Sequence, residues 1–266
     1  MINAKNALKK SVEIYNAEAL PLKCIIILQI VGGYMATKAL TKQLAASKEA
    51  RKFITSVYLW MSIALLLSGL TAFIISKNQP LIDLLWKTKY TIIGILVFEI
   101  ALVWIITIVI EKISTVTASI LFIIYSIVNG ISLSAIFIVF KLSSITSIFL
   151  ISAGMFICMS IFGAFTKSRI NSFYRYFVMT FFGLAIAGLV NFILKLDFIS
   201  IIISVISVFL FMGLTVVETQ KIVKTSQLAD DSDKFKKAAI YGALQLYIDF
   251  IGIFLNLLKL FGRERD

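Results

Sequence analysis

Seven long apolar segments follow one another along this chain, and short charged connectors separate them. Each segment holds roughly the 20 residues that an α-helix needs to cross a hydrocarbon layer about 30 Å thick. The segments are residues 53–76, 91–110, 117–140, 145–165, 177–194, 198–217 and 238–260. This pattern predicts an all-α integral membrane protein whose seven transmembrane helices form one bundle.

The chain before the first segment has a different pattern. Residues 24–37 are mostly apolar, but a stretch of 14 residues is short for a membrane span and suits an interfacial or buried segment. We therefore expect three parts. They are a cytoplasmic or interfacial segment at 1–52, a seven-helix transmembrane domain at 53–262, and a charged tail at 263–266.

Positive charge favours one orientation of these spans. The chain has 26 Lys and Arg against 14 Asp and Glu, a formal charge of +12. With the N-terminus in the cytoplasm, 18 basic residues fall on the inner side and 8 on the outer side, as the positive-inside rule requires. A further crossing at 24–37 would reduce this difference to 14 against 12. A last helix that returned its end to the inside would give 21 against 5, so charge leaves the position of the C-terminus open.

Composition limits the chemistry and the location. Apolar residues make up 60% of the chain, histidine is absent, and Cys24 and Cys158 lie in separate apolar stretches as expected fillers. The sequence has no nucleophile–base pair, phosphate-binding loop or cluster of metal ligands, so we expect neither an enzyme nor a bound cofactor. Basic residues beside apolar spans indicate a lipid bilayer as the partner, not nucleic acid. Short connectors and the absence of a signal-peptide pattern suit a multi-pass protein of a bacterial plasma membrane, while an internal eukaryotic membrane stays open.

Three carboxylates lie in or beside the apolar segments. Glu99 lies in the second segment, Asp249 lies near the middle of the seventh, and Glu218 directly follows the sixth. A charge at the bilayer centre costs at least about 2.5–3.5 kcal/mol, so such side chains are expected to face the bundle interior or a water path. Because the sixth and seventh helices share one connector and run antiparallel, Glu218 and Asp249 can face each other across their packing seam.

Such a pair has a definite chemistry. Two close carboxylates cannot both ionise cheaply, so they share a proton, and this makes a pH sensor without histidine. Without the proton they offer hard oxygen ligands to a divalent cation such as Ca²⁺. Lys112 or Lys221 is expected to balance the remaining charge. Other interpretations stay open at this point: Glu218 as a solvated helix-end residue, and Asp249 or Glu99 as a structural hydrogen-bonding group.

Neutral polar and small residues within the spans are expected to hold the helices together. Side-chain amides can bond between helices, and glycines allow two backbones to approach closely. The amides are Asn129, Asn191, Gln245 and Asn256, and the glycines are Gly130, Gly163, Gly183, Gly188 and Gly242.

Four motifs resemble those of the Bax inhibitor-1 family, also called transmembrane Bax inhibitor motif proteins. The first span opens with Arg51-Lys-Phe-Ile-Thr-Ser-Val-Tyr, and the third contains Tyr125-Ser-Ile-Val-Asn-Gly-Ile-Ser-Leu-Ser. The fourth ends with Phe162-Gly-Ala-Phe-Thr-Lys, and the seventh carries Ala243-Leu-Gln-Leu-Tyr-Ile-Asp-Phe-Ile-Gly-Ile-Phe. The last motif is the most specific, and the resemblance covers residues 51–262.

This resemblance implies a fold with six helices around a central seventh, and a pH-sensitive Ca²⁺ leak as the activity. The family's functional carboxylates map onto Glu218, in Val-Glu-Thr-Gln, and Asp249, in Leu-Tyr-Ile-Asp-Phe. Glu218 departs from the family's aspartate, Gly252 departs from its asparagine, and Lys112 is the nearest candidate for its basic latch. The alternative function is that of a membrane interaction protein, which modulates a membrane-bound quality-control protease or the cell-death machinery without transport.

Overall fold

The computed structural model describes residues 48–86, 89–166, 174–230 and 232–265. The predictions for residues 1–47, including the stretch 24–37 and Cys24, lie outside the described residues. Within the described part, the regular elements are eight α-helices. They are α1 (Lys48–Ser76), α2 (Gln79–Trp86), α3 (Lys89–Val109), α4 (Thr115–Val139), α5 (Leu142–Phe165), α6 (Tyr174–Leu194), α7 (Asp197–Ser226) and α8 (Asp233–Phe261).

Each of the seven predicted apolar segments coincides with one of these helices, although the second and third segments end one residue beyond α3 and α4. By length and composition, α1, α4, α5, α7 and α8 are long and apolar enough to cross a membrane, at 24 to 30 residues each. The helices α3 and α6 have 21 residues each and contain shorter apolar parts, at Ile93–Val109 and Arg175–Asn191. The protein is therefore an all-α membrane protein, while seven as the number of crossings stays a prediction.

The short helix α2 was not predicted. It has eight residues and a length of about 12 Å, which is too short to cross a membrane. Leu84 on this helix is 70% exposed. At its end, Trp86 Nε1 donates a hydrogen bond to Ser134 Oγ of α4 at 3.2 Å. The connector between the first two apolar segments is thus a structured element that is held against α4.

Two helices extend well beyond their apolar segments. The helix α7 continues to Ser226, although the apolar run ends at residue 217, and α8 begins at Asp233, ahead of residue 238. Val217 and Ile222 are buried, so one face of α7 stays packed within this polar extension. The position of Glu218 inside a packed helix contradicts the interpretation of a solvated helix-end residue.

The last helix is the most buried of the long helices. In its most apolar stretch 61% of the residues are buried, against 28–39% for the other four long helices. It packs against α4, α5 and α7, and it contacts α1 through the rings of Phe53 and Phe235, whose centroids are 6.3 Å apart. The helix α3 packs on α2 and α4, and α6 packs on α7.

Contacts at both ends show that α8 runs the full length of the bundle, parallel to α4. At its start, Lys237 Nζ donates to the carbonyl oxygen of Glu111, just before α4, at 2.8 Å. Beyond its end, Lys141 N donates to the carbonyl oxygen of Arg263 at 2.9 Å, just after α4. The chain end therefore lies at the opposite end of the bundle from the α7–α8 connector, and a last helix that returns does not fit.

Close helix approach is confirmed at some of the predicted glycines and not at others. A Cβ atom on Gly163 would lie 2.6 Å from the Val216 carbonyl oxygen, so α5 and α7 touch there. A Cβ atom on Gly183 or Gly188 would meet nothing within 4 Å, so the prediction is wrong for these two glycines of α6. Their helix packs on α7, but no described side chain or backbone approaches these two positions.

Of the side-chain amides that were predicted to bond between helices, one does so and two bond within their own part of the chain. Asn129 is confirmed, because its Oδ1 accepts a hydrogen bond from Tyr247 of α8 at 2.8 Å. Asn191 and Asn256 bond locally instead. Asn191 Oδ1 accepts from Leu196 N in the connector after α6, and Asn256 Nδ2 donates to the carbonyl oxygen of Gly252 in its own helix. Short amide side chains reach their own backbone more easily than a neighbouring helix.

Candidate functional site

The last two helices bring Glu218 and Asp249 together. Glu218 lies on α7 and Asp249 on α8, and each residue is only 4% exposed. The two helices are antiparallel, joined by a short connector, and packed along one another. Gly252 of α8 contributes to this packing, because its missing side chain leaves room for the ring of Phe211 from α7. Two carboxylates are thus held inside the bundle at one helix–helix seam.

Asp249 has two polar neighbours on α7, Thr215 and Glu218, and one oxygen without a partner. Thr215 Oγ1 donates a hydrogen bond to the carbonyl oxygen of Phe211 at 2.8 Å and also lies beside the Asp249 carboxylate. Glu218 lies close enough for its charge to act on Asp249. Among the described residues, Asp249 Oδ2 has no hydrogen-bond partner. The carboxylate is therefore oriented by α7 but is only partly satisfied.

Glu218 is also only partly satisfied, because one of its two carboxylate oxygens has a partner and the other has none among the described residues. Its Oε1 lies 3.1 Å from Lys221 Nζ, one turn further along α7, and this forms a salt bridge. The side chain of Lys221 is 34% exposed, so the pair connects the buried carboxylate to the more accessible end of the helix. Glu218 Oε2 is buried, and the described part of the chain provides no hydrogen-bond partner for it.

Both carboxylates line one cavity of about 180 Å³. Leu214 and Glu218 of α7 and Gln245, Ile248 and Asp249 of α8 form one side, and Val178 and Phe181 of α6 form the other. This volume can hold several water molecules, and the polar groups that water requires all come from α7 and α8. The cavity therefore places a polar seam opposite an apolar wall.

Of the other three candidates, Lys112 and Glu99 do not line this cavity, and Lys221 contacts Glu218. Lys112 is exposed in the connector after α3, a helix that packs on α2 and α4. Lys221, the other candidate counter-charge, is the one that reaches the pair. Glu99 is half-buried on α3, where its carboxylate lies beside the side chains of Ser132 and Asn129 from α4. Glu99 thus faces the bundle, on a different side of α8.

The donor set limits which ions could bind. Within the described ranges, no three Asp, Glu, His or Cys side chains converge on one point. A cation at the pair would therefore rely on the two carboxylates together with neutral oxygens, from Thr215, Gln245 or water. Such hard oxygen ligands suit Ca²⁺, which also accepts an irregular and partly hydrated site.

Sequence reasoning missed Thr215 and two members of a second polar cluster, Ser68 and Tyr247. Helical spacing could have found Thr215, because it precedes Glu218 by three residues and so lies on the same face of α7. No comparable signal marks Ser68 or Tyr247, since their partners lie on helices distant in the sequence.

These features define the class of the protein. It is a multi-pass, all-α integral membrane protein with a buried carboxylate pair between its last two helices.

Comparison with known proteins identifies the family. The family model described as "Inhibitor of apoptosis-promoting Bax1" matches residues 50–266. "Inner membrane protein YbhL" of Escherichia coli strain K12 is 37% identical over 215 residues, which cover 80% of this chain and 92% of that protein. "Uncharacterized protein RP147" of Rickettsia prowazekii is 35% identical over 234 residues, or 86% and 98% of the two chains. An uncharacterized protein of Borreliella burgdorferi is 34% identical over 216 residues, or 81% and 93%. The chain therefore belongs to the Bax inhibitor-1 family.

Proposed function

We propose that this protein is a pH-sensitive calcium leak in which Glu218 and Asp249 hold either a shared proton or a cation. One observation carries the proposal. Two buried carboxylates on neighbouring helices line one cavity, and each has an oxygen without a partner in the described chain. The association of the family with cation and calcium leak supports the same function.

The closed state follows from electrostatics. Two carboxylates in a low-dielectric seam repel each other strongly when both are ionised, so one proton shared between them is the favourable state at low pH. Lys221 then balances the single remaining charge through its contact with Glu218 at 3.1 Å. In this state the cavity has no excess negative charge to attract a cation.

The open state follows from removal of that proton. At higher pH the second carboxylate ionises, and the pair carries one more negative charge than Lys221 can balance. A divalent cation that enters the cavity relieves the repulsion, with Glu218 Oε2 and Asp249 Oδ2 as its first ligands and the amide oxygen of Gln245 within the same lining. Flux should therefore rise as the pH rises.

The location that we propose is a bacterial plasma membrane, with the N-terminus in the cytoplasm. The excess of basic residues on one side of the predicted spans supports this orientation. One relative at 37% identity is named an inner membrane protein. The leak would then connect the cytoplasm with the space outside this membrane.

The test is calcium flux through proteoliposomes across a pH series. Wild-type protein should carry more flux as the pH rises. Asp249→Asn should abolish this dependence, and Glu218→Gln should weaken or abolish it, because neither variant can form the shared-proton pair. Asp83→Asn on α2 and Glu111→Gln after α3 are matched controls at exposed positions, and both should keep the wild-type profile.

An unchanged pH profile in both neutral variants would overturn the sensor assignment. The alternative function would then be the better explanation. In that account the protein binds and modulates a membrane protease or the cell-death machinery, and this role does not require a pair of carboxylates within the helices.

A further inference from the structure

A second polar cluster surrounds Tyr247, which precedes Asp249 by two residues on α8. Successive residues of an α-helix turn by about 100°, so the two side chains point to nearly opposite sides of α8 and differ by only about 3 Å in height. Asp249 faces α7 and the cavity. Tyr247 faces α1 and α4, where it is fully buried.

Two helices hold the Tyr247 hydroxyl. It donates a hydrogen bond to Asn129 Oδ1 of α4 at 2.8 Å. It also lies 2.6 Å from Ser68 Oγ of α1, and since its one hydrogen goes to Asn129, Ser68 is the donor in this contact. Ser68 and Asn129 are themselves buried. The hydroxyl is therefore bound on two sides, in a region without competing bulk water.

The two partners of Tyr247 belong to one rigid platform. A Cβ atom on Gly130, the neighbour of Asn129, would lie 2.7 Å from the carbonyl oxygen of Ser68 and 2.7 Å from Thr71 Cβ. The backbones of α1 and α4 are therefore in close contact at the level of Ser68 and Asn129. Neither partner can move toward or away from Tyr247 without separating these two helices.

The ring of Tyr247 is also fixed. Phe122 and Tyr125 of α4 pack edge-on against it, with centroid distances of 6.1 Å and 5.8 Å. Ring packing limits sliding of α8, and the two hydroxyl contacts limit its rotation. Since Asp249 is attached to the same turn, its position against Thr215 and Glu218 is set from the opposite side of the helix.

Glu99 completes the cluster. Its carboxylate lies beside the side chains of Ser132 and Asn129, and its Oε1 is buried without a hydrogen-bond partner among the described residues. Because Asn129 Oδ1 accepts from Tyr247, the amide group of Asn129 is the part that can donate to Glu99. The carboxylate of Glu99 is therefore placed where it can orient the Asn129 side chain toward Tyr247. The titratable and charged groups that face this part of α8 are Glu99 of α3, Tyr125 of α4, and Glu218 with Lys221 of α7.

We propose that Tyr247 is a positioning residue: its hydroxyl, held by Ser68 and Asn129 on the α1–α4 platform, sets the rotation of α8 and thereby the placement of Asp249 against Glu218. Glu99 supports this role by orienting Asn129. The inference deepens the proposed pH-sensitive leak and rests on it for its functional consequence, but the structural part is measurable by itself.

The structural readout is cross-linking across the cavity. Leu214 of α7 and Ile248 of α8 both line it, and each would be replaced by cysteine in a protein whose Cys24 and Cys158 are serine. Tyr247→Phe removes only the hydroxyl and should change the cross-linking rate severalfold, because α8 can then rotate. Tyr125→Phe is the matched control, since it removes a hydroxyl from the adjacent ring in the same cluster. Ser68→Ala provides a second variant with the same expected direction.

The functional readout is the pH profile of calcium flux. Interhelical hydrogen bonds in membrane proteins contribute enough to shift a two-state balance by roughly three- to fifteen-fold, so Tyr247→Phe should raise flux at acidic pH by about that factor. Tyr125→Phe should leave the profile unchanged. Glu99→Leu should reproduce part of the effect, and Glu99→Gln, which keeps an acceptor oxygen, should have a smaller one.

The outcomes separate the two claims. A wild-type protein without pH-dependent flux would contradict the proposed function, yet the cross-linking rates would still decide whether Tyr247 positions α8. If Tyr247→Phe and Ser68→Ala both matched wild type in cross-linking and in the pH profile, the positioning role would be overturned. An equal effect of Tyr125→Phe and Tyr247→Phe would also overturn it, because general loosening of the aromatic cluster would then be the cause.

Discussion

The α1–α4 side of α8 and its α7 side both carry polar groups at nearly the same height, but they are built differently. On the first side, Tyr247 has partners on two helices and the backbones touch at Gly130. On the second side, Glu218 and Asp249 border a cavity, and each has an oxygen without a partner among the described residues. The bonded side can fix the helix, and the partly satisfied side can accept a proton or a cation.

This difference shows how α8 can be held in place on its α1–α4 side and remain reactive on its α7 side. The Tyr247 hydroxyl, which is bonded on two sides, stabilises one arrangement, whereas the partly satisfied Glu218 and Asp249 keep chemical capacity at the expense of stability. The contrast between the two sides can be tested by changing one side at a time.

The largest expected effect comes from Gly130→Ala on the bonded side. The added Cβ would lie 2.7 Å from the Ser68 carbonyl oxygen, so α1 and α4 must separate. We expect the free energy of unfolding to fall by about 1–3 kcal/mol, as for other overpacked cores. Thermal unfolding in detergent measures this. Gly154→Ala on α5, where a Cβ would meet nothing within 4 Å, is the control and should not destabilise the protein.

A smaller effect is expected from Lys221→Gln on the cavity side. The ammonium group stabilises the ionised form of Glu218 from 3.1 Å, so its loss makes removal of the shared proton harder. The midpoint of the flux profile should move toward higher pH by about one unit. Lys224→Gln, at an exposed position one turn further along α7, is the matched control. A midpoint that stayed in place in both variants would remove Lys221 from the account.

The smallest change is expected from Glu218→Asp. Aspartate keeps a carboxylate at this position but shortens the side chain by one methylene, which changes its reach by about 1.5 Å. The flux should remain pH-dependent with a shifted midpoint, since the carboxylate pair persists with altered spacing. The same flux series measures it. Complete loss of pH dependence would mean that the longer side chain of Glu218 is itself essential.

Apolar patterning located the helices well, because a membrane span must be a continuous apolar helix of nearly fixed length. It failed at the ends of α7 and α8, where charged residues such as Lys224 and Lys234 continue the helix beyond the membrane-like run. It also missed α2, because eight residues are too few for a recognisable period.

The candidate site was predictable only in part. Glu218 and Asp249 were visible because carboxylates beside apolar runs are rare, and two motifs, one around each residue, carried their roles by resemblance. Lys112 was assigned by its place near the end of the second segment; it does not line the cavity of the pair, and its role as a latch stays a prediction. Tyr247 and Ser68 carry no mark of their role, since a tyrosine and a serine in a helix are ordinary until the packing partner is known.

The most direct test of the central claim is the pH profile of calcium flux for the double variant Glu218→Gln, Asp249→Asn, measured beside both single variants and the wild type. If the two carboxylates act as one unit that shares a proton, Asp249→Asn alone loses the pH dependence, and adding Glu218→Gln to it changes nothing further. If Asp249→Asn kept part of the dependence and only the double variant abolished it, the carboxylates would titrate independently. That result would contradict the shared-proton account.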